Sequence, residues 1–476
     1  MKLKAYIILF LLVISTSCQD FLELQPESQI NDQNFYKTEN DFEKAMIGVH
    51  GTFRDLYNTD IFYIAELMTD NAEISISSSS ITEVEFDELN ITSSNTIVQS
   101  VWDRALYTVA RCNVIINRLE GVAISDDAKN RLMGEAKFMR AYAYFILVQT
   151  FGSAPITNVE FRSPDQIMAT DLTLKPKDEV YNVILEDLTS AEALLPADLN
   201  PNKGRISRGT VKTLLGKVYL TQKQYNLAAS QLKEVIDSRQ YSLVNNYSSL
   251  FVKGNENLAE SIYELKFISG ANLGNSYSVQ FTPASTGLLA NRQQGSGRIT
   301  PTLSLMEAYE EGDSRRDASV GDSITSDLTG EKAYSRHGLK FVDLTAVNPR
   351  DGAVNFLVLR YADVLLMYAE ALNEQGSTAS AEEYVNMLRD RADVEGVAGL
   401  SQEEMREAIA HERRVELAYE AHRWFDLIRT GRAKEVIDAY YAGKGLNFTL
   451  APHELVLPIP RREIEINPAI KQNEGY

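Results

Sequence analysis

Apolar residues recur at three- and four-residue spacing along most of this chain, and that period commits it to helices packed on helices. Phe42, Ala45, Met46, Val49, Phe53 and Leu56 share one helical face behind Thr38, a residue suited to cap a helix. Residues 97–120 repeat the pattern with Val98, Val101, Trp102, Ala105, Val109, Val114, Ile115 and Leu119. Residues 126–150 form another helix, ended by Gly152 and Pro155. Val180, Ile184, Leu188, Ala191 and Leu195 mark a fourth, stopped by Pro196. Period-two alternation is confined to short stretches; Tyr241–Val244 and Ser261–Ile268 read as strands flanking a loop. Residues 71–96 and 269–300 are polar and aperiodic and read as long loops.

Two stretches look alike. Leu215, Gly216, Tyr219, Ala228 and Leu232 have tetratricopeptide spacing, and Ala369, Leu372, Ala381 and Val385 repeat it more weakly. Small residues at Gly216 and Ala228 let two antiparallel helices approach closely. Spacing alone leaves a true repeat and two ordinary helical hairpins both open, and the long intervening sequence rules out a uniform solenoid.

A net charge of −19 excludes a nucleic-acid binder, which needs a basic footprint, and electrostatic docking on an anionic leaflet. Only Cys18 and Cys112 are present, so a disulfide framework and a Cys-rich metal site are excluded. Lys2 and Lys4 precede the apolar run Ala5–Ile14, followed by Ser15, Thr16, Ser17 and Cys18. That run is too short to span a bilayer. It reads as a secretory signal over residues 1–17, with Cys18 as the lipidated first residue of the mature chain. Ser15 departs from the Leu most often found at its position. Lipid on Cys18 is then the expected membrane attachment.

The sequence offers no support for catalysis. The histidines are His50, His337, His411, His422 and His453, and His411-Glu412 lacks a second His four residues on. Neither a nucleophile elbow nor a phosphate-binding glycine loop is present. Asp313, Asp317, Asp322 and Asp327 miss the calcium-loop spacing and read as a solvated acidic loop. No cofactor and no metal is expected. Trp102 and Trp424 lie in helical stretches, where Trp is more often core than ligand platform.

Several motifs in order resemble the SusD/RagB family of outer-membrane nutrient-binding lipoproteins of Bacteroidetes. They are Cys18–Glu23, Gly134–Phe145 with Phe151–Pro155, Val180–Asp187 with Leu194–Pro196, Arg360–Leu372, Glu412–Leu417 with His422–Arg429, and Leu457–Pro460 with Gln472–Tyr476. The resemblance implies a mainly α fold: a scaffold of tetratricopeptide-like helical hairpins with irregular loops and a few short strands. It implies one domain over 18–476, with a helical part (18–268), a loop-rich ligand-side insertion (269–340) and a C-terminal helical part (341–476). It also implies a partner, a TonB-dependent barrel of the SusC/RagA type, over which the surface-exposed lipoprotein closes as a lid on the outer membrane.

Within the motifs, Arg140, Glu370, Arg413, Arg423, Asp426 and Arg429 read as ion pairs fixing helix packing, with Trp102 and Trp424 as core. Arg413, Arg423, Asp426 and Arg429 are assigned to one helix, and Asp313–Arg316 to a structural turn. The ligand residues are sought in the aperiodic stretches 57–96 and 269–340. Tyr63, Phe86, Tyr277, Phe281 and Tyr334 are the candidate stacking faces; Asp70, Asn71, Asn275, Arg292 and Arg298 are the candidate hydrogen-bonding groups. Glycan capture is the favoured role. RagB-like peptide capture stays open, since no Trp falls in either stretch, and a lipid-anchored enzyme of glycan breakdown is the third reading.

Overall fold

The structure, a computed structural model, describes residues 35–58, 60–74, 80–197, 204–283, 295–325 and 330–476. The signal segment, Cys18 and Arg292 lie outside the described residues.

Helices dominate. They are α1 (Glu39–Asn58), α2 (Ile81–Asp87), α3 (Thr96–Leu119), α4 (Asp126–Phe151), α5 (Lys177–Leu194), α6 (Arg208–Thr221), α7 (Tyr225–Asp237), α8 (Tyr361–Glu374), α9 (Thr378–Arg391), α10 (Gln402–Glu416), α11 (Arg423–Thr430) and α12 (Ala433–Gly443), with shorter turns between. Local chemistry sets their ends. The Thr38 hydroxyl accepts the Asp41 N–H, and Asn95 and Ser125 cap α3 and α4 through their side chains. Gly152 closes α4 in the left-handed region at φ 76°, where a Cβ would be strained.

The long helices form a continuous layer in which α1 packs on α3, α3 on α4, α4 on α5, α5 on α6, α6 on α7, α7 on α8 and α8 on α9 and α10. The two repeat-like stretches are the hairpins α6–α7 and α8–α9. They are neighbours in space although more than a hundred residues separate them in sequence. Gly216 works as its spacing implied: a Cβ there would lie 2.5 Å from Cγ of the buried Leu232. Ala369, Ala381 and Val385 join Met405 and Ile409 in a separate small core.

Among the described residues there are four antiparallel two-stranded ribbons: β1 (Ala72–Glu73) with β5 (Thr300–Pro301), β2 (Ser153–Pro155) with β3 (Leu174–Pro176), β4 (Ser261–Leu265) with β8 (Phe356–Arg360), and β6 (Val320–Thr325) with β7 (Lys332–Gly338). Three sequence readings are corrected here. Tyr241–Val244 is not a strand; the Glu260 carboxylate takes the Val244 N–H that a ladder would use. The true partner of β4 is β8, whose residues are all buried, so it lacks the alternation that marks a strand. The polar stretch 71–96 carries β1 and α2, and 269–300 carries a buried helical turn, Tyr277–Phe281. Among the described residues no helix is long and apolar enough to cross a membrane.

Candidate ligand-binding face

The site begins at a π-helical turn, Tyr63–Leu67, from which the chain runs through Asp70 and Asn71 into β1. The sequence signalled this stretch as polar, and its polar groups turn inward. Asp70 forms a bidentate pair with Arg423 at 2.8 and 2.9 Å and a third contact with Arg414 at 3.0 Å. Burial pushes the Asp70 carboxyl up, but the two guanidinium groups outweigh it and hold it below its usual range. Asn71 donates to Glu66 and accepts from Arg414, and Asn275 donates to the Val354 carbonyl at 2.7 Å.

The rings are inside as well. Tyr63 donates its hydroxyl to Glu83 at 3.1 Å, Phe86 is fully buried, and Tyr277 stacks on Phe281 with centroids 5.6 Å apart. The expectation of open stacking faces at Tyr63, Phe86, Tyr277 and Phe281, and of free polar groups at Asp70, Asn71 and Asn275, is therefore corrected. These residues hold the loops to the helical layer, because a long loop can pack only if its own aromatics and polar groups are satisfied there. Arg298 is partly open and pairs with Glu83 at 2.6 Å.

Tyr334 is different. On β7 it is 71% exposed, more than any other aromatic among the described residues. Two residues on, Arg336 crosses to the β1–β5 ribbon, donating to the Pro301 carbonyl at 2.6 Å and to Glu73 at 2.5 Å. Glu73 also accepts from the Tyr440 hydroxyl at 3.2 Å and from Lys444 at 3.1 Å, and Lys444 stands 5.0 Å from the Tyr440 ring centre. Burial raises the Glu73 carboxyl, but its bonds to Arg336 and Lys444 outweigh that and hold it low. This face offers a ring, a half-buried second ring and ordered charges of both signs, the elements that orient a polyhydroxylated ligand. Sequence reasoning missed Glu73, Arg336, Tyr440 and Lys444. The one signal was Tyr440 four residues before Lys444 on a helix end.

The motif residues form buried ion pairs between helices and loops. Arg360 reaches Glu260, Glu416 and Glu420 at 2.6–2.8 Å. Arg315 joins Asp313, Glu412 and Glu416, so Asp313 is not a solvated acid; Asp317 and Asp322 pair with Arg316, and Asp327 lies outside the described residues. Arg140 clamps Asp187 with two 2.7 Å bonds, and Arg429 bridges Glu370 and Asp426. Arg413 on α10 ties Asp363 on α8 to Asp426 on α11; it does not share one helix with Arg423, Asp426 and Arg429, since Tyr419 and Ala421, both at positive φ, break the chain between α10 and α11. Trp102 and Trp424 are buried, Trp102 edge-on to Phe151. Glu310, His411 and Glu412 come close enough to hold a cation, but Arg389 already bridges both glutamates.

A scaffold of helical hairpins carrying irregular loops and short ribbons is the class of protein these features define. Two family models match: the SusD family over residues 321–476 and "Starch-binding associating with outer membrane" over residues 20–220. SusD-like proteins P2 and P25 of Formosa agariphila are 27% and 28% identical, in alignments covering all of this chain and all of theirs. A solved laminarin-binding SusD-like protein superposes with a TM-score of 0.80 at 29% identity, covering 93% of this chain and 100% of that one. The chain belongs to the SusD/RagB family.

Proposed function

We propose that the protein is a glycan-binding lipoprotein, anchored through Cys18 to the outer membrane and exposed at the cell surface, that captures oligosaccharide and acts as the lid of a TonB-dependent SusC-like barrel. The observation that carries the reading is Tyr334, an open ring two residues along β7 from Arg336, which is held with Lys444 on Glu73, in a fold shared over nearly its whole length with a laminarin-binding protein. The role is binding without catalysis. Three of the histidines are occupied in structural contacts: His50 with Tyr263, His337 with the Ser335 carbonyl and His422 with Lys217.

The test is calorimetric titration of soluble protein starting after Cys18 with laminarin, other polysaccharides, oligosaccharides and peptide mixtures. Saturable binding of a glycan, without hydrolysis, supports the reading. Saturation by peptides alone replaces it with RagB-like peptide capture, and release of shortened sugars replaces it with an enzyme. Co-purification with the barrel from outer membranes tests the lid role.

A further inference from the structure

Glu66 is the one carboxylate in the π-helical turn, and it is fully buried. Its hydrogen bonds come from neutral groups: the Asn71 side-chain amide at 3.1 Å and the Ala421 N–H at 3.1 Å. Every carboxylate of the nearby network, by contrast, touches a cation: Asp70 has Arg423 and Arg414, Glu83 has Arg298, and Glu420 has Lys340 and Arg360. The charged and titratable groups around Glu66 are Lys340 after β7, Arg414 on α10, Tyr419 in the α10–α11 connection, Arg423 on α11, Asp70 in the turn and Glu83 on α2. All of the other charged ones spend their hydrogen bonds elsewhere.

The position of Glu66 gives it leverage. One oxygen holds Ala421, whose left-handed backbone (φ 61°) has no glycine to relieve it. The other holds Asn71, whose carbonyl accepts the Thr302 N–H and whose successor starts β1. From β1, Glu73 anchors Arg336, Tyr440 and Lys444 of the ligand face.

We propose that Glu66, buried with only neutral hydrogen-bond partners, is a proton-exchanging group whose protonation sets how often the Asn71–Glu73 segment and the Ala421 turn open, making the candidate ligand face responsive to pH. The physical reason is desolvation. A neutral Glu66 tolerates its buried surroundings, whereas a charged one gains by reaching water. Burial pushes this carboxyl up to about 7, and its bonds to Asn71 and Ala421 recover only part of the shift. The folded state therefore holds the proton more tightly than the open state. Its extra stability is complete below the ordinary carboxylate range and is lost as pH rises through neutrality. The segment's response does not depend on which cargo the face takes.

Amide hydrogen exchange at Asn71, Thr302 and Ala421, corrected for intrinsic rates, reads this directly. In the wild type, protection is expected to fall about tenfold between about pH 6 and about pH 8. Glu66→Gln should remove that dependence. An identical pH dependence in both proteins overturns the proposal. Because that substitution also changes donors and acceptors, carbon-13 NMR of the glutamate carboxyls in the wild type gives a second reading. One resonance should titrate near neutrality; titration of all glutamates in the ordinary range overturns the proposal.

Discussion

At the scale of single residues, this chain separates side chains that hold the scaffold from those free to meet a ligand. Arg423 is of the first kind. Removing it leaves the buried Asp70 with Arg414 alone, and uncompensated buried charge is expensive. Arg423→Ala should cost about 3 kcal/mol in urea unfolding while the folded fraction keeps its glycan affinity. Arg423→Lys should not restore it, since an ammonium cannot make the bidentate pair. Unchanged stability of Arg423→Ala would refute the scaffold role. Tyr334 is of the second kind. Its exposed ring packs on little, so Tyr334→Ala should leave the melting temperature within about 1 °C. Affinity should fall by about tenfold, the cost of one aromatic anchor. Equal affinity of the two proteins in calorimetry would remove Tyr334 from the site.

At the scale of elements, close helix approach depends on glycine. Gly216 sits in the interior of α6, where Ala has the better helical propensity by about 1 kcal/mol. The clash with Leu232 outweighs that gain, because the Leu232 branch point is itself packed in the core. Gly216→Ala is expected to destabilise by about 1–2 kcal/mol, read by denaturant midpoint. The reverse sign would show that the α6–α7 contact is loose. The elements also show where period-based reading fails. α1, α3, α4 and α5 have one polar side and one buried side or clear caps, so sequence places them almost to the residue. β8 is buried on every residue and merges by pattern with α8. The α10–α11 break is invisible because neither Tyr419 nor Ala421 announces a left-handed turn.

At the scale of the whole molecule, the buried ionic network makes stability a function of pH. Burial by itself raises Glu416, Glu420, Asp363 and Asp426, but the cations around them outweigh it and hold all four below their usual range. Groups lowered in the folded state contribute stability above their unfolded value and lose it as pH falls. The melting temperature should therefore drop steeply and cooperatively below about pH 4, where the unfolded carboxylates take up protons. Glu66 acts with the opposite sign between that range and neutrality, so the maximum is expected on the acid side of pH 7. A profile flat down to about pH 2 would contradict the network's role.

The amino-acid sequence by itself determined the helical periods, the caps at Thr38 and Gly152, the close approach at Gly216 and the ordered motifs that mark the family. These are legible because period, capping and backbone freedom act over a few residues. Tertiary structure alone decided which residues make up the candidate ligand face. Tyr63, Phe86, Tyr277 and Phe281 sit in stretches as polar as the one holding Tyr334, yet they are buried and Tyr334 is not. Glu73 lies hundreds of residues from Arg336 and Tyr440 along the chain, and the three meet only at the β1–β5 ribbon. Whether a loop aromatic turns inward depends on what lies beneath the loop, and that surface is assembled from helices distant in sequence.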